Sequence, residues 1–216
     1  MFVEKWMTAN PHTVLPQITI SAAALEMSRH KFRHLLVAEA HGSRKKLVGI
    51  VSKYDIARAF PSNYNPFSLE VTKQTVAQPI FTIMNRNVIT VEPYCAIEEA
   101  ARILRTRRID ALPVHRAGDL VGIITESDIF DALLSMSGAN EPGYKLIIES
   151  TDVKTALASI SQLSERHFLP IRSAISFHDP KLSNKVVSSF RFVKRPVPEF
   201  LQQLVEIGFR VLRVDN

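Results

Sequence analysis

Apolar positions along the chain fall into short runs of recognisable period. Leu35-Leu36-Val37 and the run 47–51 are rich in branched side chains and bounded by polar turns, so they predict buried strands. Ile97, Ala100, Ala101 and Leu104 recur at i, i+3, i+4 and i+7, one face of a helix. The run 22–27 predicts another helix, with Leu25 and Met27 toward a core. Residues 61–78 carry Pro61, Pro66 and little periodicity, which predicts a linker with at most one helical turn.

The pattern repeats. Thr13-Val14-Leu15-Pro16 matches Thr90-Val91-Glu92-Pro93, and the run from Phe32 to Val37 matches the run from Ile109 to Val114, an offset of 77. The run from Leu47 to Ile56 then matches the run from Leu120 to Ile129 at an offset of 73. The four extra residues of the first copy fall in 40–46, a polar stretch where an insertion in a hairpin loop is expected. Each copy is about 60 residues, near the lower limit for an independent core, so the copies are expected to pack together.

The last third follows another order. Residues 144–149 predict a strand, 153–166 a helix, 168–177 and 185–193 two strands, 200–207 a helix and 209–214 a final strand. The order βαββαβ is that of a ferredoxin-like unit.

Ser52-x-x-Asp55 and Thr125-x-x-Asp128 stand at equivalent points of the two copies. The spacing is that of a helix capping box. A carboxylate there can also accept hydrogen bonds from a ligand's hydroxyls, and the free N–H groups of a helix start favour an anion. Both uses call on the same helix end.

The layout Met7…Thr13-Val14-x-Pro16…Gly49-Ile50-Val51-Ser52-x-x-Asp55, repeated as Met84…Thr90-Val91-x-Pro93…Gly122-Ile123-Ile124-Thr125-x-x-Asp128, resembles a tandem pair of CBS domains. The resemblance implies an α/β fold in which two repeats form a pseudo-twofold pair with clefts for an adenosyl ligand. It implies base contacts near Val14, Ile89, Leu36 and Pro113. Phosphate contacts are implied near Arg33-His34 and near Asp110-Ala111. Ser52, Asp55, Thr125 and Asp128 are the implied ribose-binding positions. Lys53, Arg33 and His34 in the first copy against Glu126 and Asp110 in the second suggest unequal sites. On this reading, charged nucleotides prefer the Ser52–Asp55 cleft, while the Thr125–Asp128 cleft prefers adenosine or S-adenosylmethionine or stays empty. The C-terminal unit resembles an ACT domain, and the whole arrangement is similar to the acetoin utilization protein AcuB family. The turn 150–154 lacks the glycine of amino-acid-binding ACT domains, so a dimerisation or docking role stands beside amino-acid binding.

Composition narrows the function. The 216 residues are 46% hydrophobic and 22% charged, which excludes a disordered chain. Neither GxGxxG nor GxxxxGK[ST] occurs, which excludes the glycine-loop solutions to phosphate binding. The one cysteine, Cys95, cannot form an internal disulfide, so a reducing, cytoplasmic setting is expected. No apolar run approaches the ~20 residues that span a bilayer, and the start lacks a signal-peptide layout. The net charge of +6 is spread along the chain and lacks aromatic interleaving, which ranks nucleic acid below a small anionic ligand. The seven histidines are scattered along the chain, so no metal site is expected. No nucleophile–base set appears, so no enzyme is expected.

The sequence thus divides into a CBS domain at 1–60, a linker at 61–78, a second CBS domain at 79–138 and an ACT-like ferredoxin-like domain at 144–216. The expected function is regulatory sensing of AMP, ADP, ATP or S-adenosylmethionine, with no obligatory cofactor. A homodimer through the CBS-pair helices, extended by the ACT-like domain, would pass the signal to a regulated partner. The alternative is a constitutive dimeric scaffold without a small ligand.

Overall fold

The computed structural model describes residues 1–42, 44–60, 77–178 and 185–215. Residues 61–76 of the expected linker lie outside the described residues. The chain divides into two compact units, Met1–Phe130 and Asp131–Asn216.

The first unit holds both repeats. Strands β1 (Thr8–Ala9) and β2 (Thr13–Val14) lead to α1 (Ile20–His30), then β3 (His34–His41), β4 (Arg44–Ser52) and α2 (Lys53–Ala59). The second repeat gives α3 (Ile97–Arg107), β5 (Ala111–Arg116) and β6 (Asp119–Thr125), followed by α4 (Glu126–Met136). Thr19 caps α1 by accepting from Ala22 N, and Ile20, Ala23, Ala24 and Met27 bury its apolar face. Ile97, Ala100 and Leu104 do the same for α3, as their spacing predicts. Each fully buried Ile or Leu of this kind contributes about 1.5–3 kcal/mol of hydrophobic burial.

The copies exchange their first segments. The sheets run β2-β3-β4 and β1-β6-β5, so β1 of the first repeat completes the sheet of the second. Thr8 pairs with Ile123, and by the same symmetry Asn85 bridges Ile50. Val3 N donates to Cys95 O, and Ile80 N donates to Ile18 O, again equivalent positions. Val3 and Ile80 are fully buried in these docked segments. Gly49 and Gly122 make room for the exchange. A Cβ on Gly49 would stand 2.5 Å from Met84 Sδ, and one on Gly122 would collide with Met7 Sδ.

The four-residue insertion is a longer hairpin and not a longer loop. Ala38 to His41 pair with Arg44 to Leu47, and Gly42 turns the chain at φ 65°. Two more strand residues on each side satisfy the backbone groups that a loop of that length would leave to water.

The second unit is βαββαβ: β7 (Tyr144–Ser150), α5 (Val153–Arg166), β8 (Ile171–His178), β9 (Val186–Phe192), α6 (Pro198–Glu206) and β10 (Arg210–Asp215). Its antiparallel sheet has the order β10-β7-β9-β8, the ferredoxin-like arrangement. Asp152 caps α5 by accepting from Thr155 N at 2.8 Å, and Pro198 begins α6, where its missing N–H costs nothing. Leu146, Ile148, Ile160, Phe190, Phe192, Phe200 and Leu204 form the core between sheet and helices.

Candidate ligand-binding clefts

Each repeat ends its hairpin in the motif singled out by sequence. Ser52 N and Oγ donate to Asp55 Oδ2 at 2.8 and 2.6 Å, and Asp55 N donates back to Ser52 Oγ at 3.2 Å, a full capping box. Thr125 N and Oγ1 donate to Asp128 Oδ2 at 2.7 and 2.8 Å. In both cases the cap occupies Oδ2, and among the described residues Oδ1 accepts no bond. The capping function and a free acceptor therefore coexist on one carboxylate.

A cavity opens beside each aspartate. One, of about 210 Å³, brings Thr125, Asp128 and Ile123 together with Thr8, Pro11, His12, Lys31, Phe32, Arg33, His34 and Leu36. The other, of about 270 Å³, joins Ile50, Ser52 and Asp55 to Asn85, Asn87, Val88, Ile89, Arg108, Ile109, Asp110, Ala111 and His34. Most lining positions correspond through the repeat: His12 to Ile89, Lys31 to Arg108, Phe32 to Ile109, Arg33 to Asp110. Because the copies exchange segments, each cleft takes its aspartate from one repeat and its facing strand from the other.

This crossing reassigns the charges. Sequence proximity put Arg33 with Ser52 and Asp55; the fold puts Arg33 opposite Thr125 and Asp128, with His34 reaching both clefts. The Asp128 cleft has two fixed cations, Lys31 and Arg33, against one carboxylate. The Asp55 cleft has Arg108 against the two carboxylates of Asp55 and Asp110.

Of the other expected positions, Leu36 lines the Asp128 cleft, and Ile89 and Ala111 line the Asp55 cleft. Val14, Lys53 and Pro113 are outside both linings. Val14 pairs with Val37 in the β2–β3 ladder, and Pro113 is buried where its carbonyl accepts from Val91 N.

Lys31 and Arg108 were missed in the sequence. Each is the left-handed C-cap of its helix, at φ 57° and 54°, where glycine is the ordinary choice. Two basic residues in strained, equivalent positions beside a cleft are a signal that the 77-residue offset alone could have exposed.

Two side chains cross between the repeats at the clefts. Arg33 Nη2 donates to Ser127 Oγ at 3.0 Å. His34 Nε2 lies 2.7 Å from Asp110 Oδ1, with the imidazole almost wholly buried. Burial lowers the pKa of His34 below its usual value, outweighing the opposing pull of Asp110. The unfolded chain therefore takes up this proton first as pH falls through about 6.5, and stability drops from there toward the lower folded pKa. Urea unfolding of the wild type against His34→Gln should show an extra acid-side loss in the wild type, of at most about 1.4 kcal/mol per pH unit. Parallel pH profiles would refute it.

Burial and Glu99 raise the pKa of Cys95, which suits a structural thiol. No helix of the described residues is long and apolar enough to cross a membrane.

The comparisons agree with this architecture. A crystal structure of a Vibrio cholerae protein described as an acetoin utilization protein (AcuB) is 34% identical, with a TM-score of 0.52, over 66% of this chain and 98% of that one. The CBS domain pair of protein MJ0100, in complex with 5′-methylthioadenosine and S-adenosylmethionine, is 30% identical with a TM-score of 0.51, over 62% of this chain and 99% of that one. CBSX2 in complex with AMP is 26% identical with a TM-score of 0.51, over 62% and 96%. Among curated proteins, the uncharacterized protein MJ1225 of Methanocaldococcus jannaschii is 33% identical over 135 residues, 60% of this chain and 48% of that protein. The chain thus spans about half the length of that relative. The CBS domain itself matches twice, at residues 3–62 and 80–135, once for each repeat. On that double match, the chain belongs to the CBS-domain family.

Proposed function

We propose that the protein is a regulatory sensor of an adenosyl ligand, bound in the clefts between its two CBS domains. The observation that carries this reading is the pairing of a free carboxylate oxygen with cations across the Asp128 cleft. Asp128 Oδ1 accepts from the ribose hydroxyls, beside Thr125. Lys31 and Arg33 take the phosphates, and Pro11, Leu36 and Ile123 supply apolar contact for the base. Relatives crystallised with AMP, S-adenosylmethionine and 5′-methylthioadenosine support the ligand class.

The Asp55 cleft has the opposite bias. Its second carboxylate, Asp110, repels phosphate and suits the sulfonium of S-adenosylmethionine, with Ser52 and Asp55 on the ribose and Ile89 and Ala111 at the base. A ligand that recruits Arg33 competes with Ser127 for that guanidinium, so binding favours another arrangement of the repeats. The signal then passes through a homodimer. Phe130, Leu133 and Leu134 expose apolar surface on α4, and Tyr54 does so on α2. The ferredoxin-like unit transmits the change to a regulated partner.

Thermal shift with AMP, ADP, ATP and S-adenosylmethionine tests the reading. A ligand at 100 times its Kd should add about 2.7 kcal/mol. Arg33→Ala should abolish the ATP response and spare that to S-adenosylmethionine. Native mass spectrometry of the same samples reads dimer mass and bound ligand together. No response to any of the four, with the dimer intact, would favour the ligand-free scaffold that the apolar face of α4 also fits.

A further inference from the structure

His30 and His34 are spaced as HxxxH in the sequence, but His30 ends α1 and His34 opens β3, and folding instead brings His12 to His30. Glu26 and His30 stand at i and i+4 on α1 and so share one face. His12, just before β2, packs on that face. Its ring centroid is 4.8 Å from that of His30 and 5.8 Å from that of Phe32, and His30 stacks on Phe32 at 5.1 Å and 13°. His12 Nε2 lies 3.0 Å and His30 Nε2 3.6 Å from the same oxygen, Glu26 Oε2. One donor atom from each of the three residues lies within 4.8 Å of the others. Arg29, a cation on the same helix, stands 3.9 Å from the other oxygen, Oε1.

We propose that His12, Glu26 and His30 bind a transition-metal dication of the zinc class. Two imidazoles and one carboxylate select such ions over magnesium and calcium, which take oxygen ligands. Tetrahedral zinc, with bonds of about 2.0–2.2 Å, holds its donor atoms roughly 3.4 Å apart. The distances of 3.0 and 3.6 Å to Oε2 bracket that spacing. His12 and His30 are exposed, so their rings can adjust without disturbing the core. Stacking on Phe32 limits that freedom and holds the two rings on the same side of the carboxylate. Three protein donors leave one coordination position open, as in zinc sites that exchange a ligand. His12 also lines the Asp128 cleft, so a metal held here stands at the border of that cleft. The sequence hides the site because one ligand precedes β2 and the other two lie one turn apart on α1.

Two imidazoles bonded to a carboxylate with no metal would use the same atoms, and a titration separates the two states. Full-chain protein, stripped with chelator and free of nucleotide, is titrated with Co²⁺ as a spectroscopic probe. The expected result is saturable ligand-field absorption at one Co²⁺ per chain, displaced by Zn²⁺. His12→Gln, His30→Gln and Glu26→Gln should each weaken Co²⁺ binding by about tenfold or more. His178→Gln, an exposed histidine outside the cluster, should leave binding unchanged. Circular dichroism confirms that each variant is folded. Failure to saturate, or equal affinities in the wild type and the cluster variants, would overturn the site. With no nucleotide in the titration, its outcome is independent of the adenosyl reading.

Discussion

Asp128→Ala should reduce AMP affinity by roughly a hundredfold or more, because two charge-assisted hydrogen bonds to ribose carry about 1.5–3 kcal/mol each. Asp55→Ala should change AMP affinity only a few-fold. The difference follows from the crossed linings. Lys31 and Arg33 face Asp128, whereas Asp55 looks toward Asp110, whose charge opposes a phosphate. Asp128 also caps α4, and its loss removes the bonds from Thr125 N and Oγ1. That alone should lower stability by about 1 kcal/mol. Asp128→Asn separates the two effects. It retains an uncharged acceptor for the cap and weakens the ribose bonds to those of a neutral group. Calorimetric titration with AMP at a temperature where every variant is folded gives the affinities. Equal losses for Asp55→Ala and Asp128→Ala would refute unequal clefts.

The repeat made both clefts legible as a pair, because the offsets of 77 and 73 align most lining positions of one with lining positions of the other. It did not reveal which aspartate faces which strand. That depends on β1 leaving its own repeat to pair with β6, a non-local choice that apolar periodicity does not encode. Arg33 and His34 lie close in sequence to Ser52, and His34 pairs directly with Ser52 in the β3–β4 register. Even so, Arg33 turns to the cleft of the other repeat, where Ser127 holds it. The caps at Ser52 and Thr125 were readable because capping is local. The C-terminal helices were readable because Ala156, Ile160 and Leu163, then Phe200 and Leu204, keep helical spacing into one core. The histidine cluster was not readable, since a ligand set that closes only through tertiary structure has no linear signature.

Gly122→Val should destabilise the first unit by about 1–3 kcal/mol, the range for forcing extra atoms into a packed site. The glycine does not serve backbone freedom, since its φ lies outside the left-handed region. It serves space: Met7, from the exchanged segment, lies where a side chain on β6 would go. Valine there is well suited to a strand, so intrinsic propensity favours the substitution and only the collision opposes it. A double-mutant cycle isolates that collision. Met7→Ala alone loses a packed side chain and should destabilise. In the Gly122→Val background it removes the clash, and the two changes together should be less damaging than their sum by about 0.5–3 kcal/mol. The urea midpoint of each variant supplies the cycle. Strict additivity would mean that Gly122 is required for some reason other than Met7. Gly49 with Met84 forms the equivalent pair on the other side of the pseudo-twofold, so the same cycle there should couple with the same sign. Thr8 ties the cycle to ligand binding. It pairs with Ile123 in β1 and also lines the Asp128 cleft, so displacing Met7 displaces one wall of that cleft. Gly122→Val should therefore weaken AMP more than Gly49→Val does, although the two collisions are equivalent by the repeat.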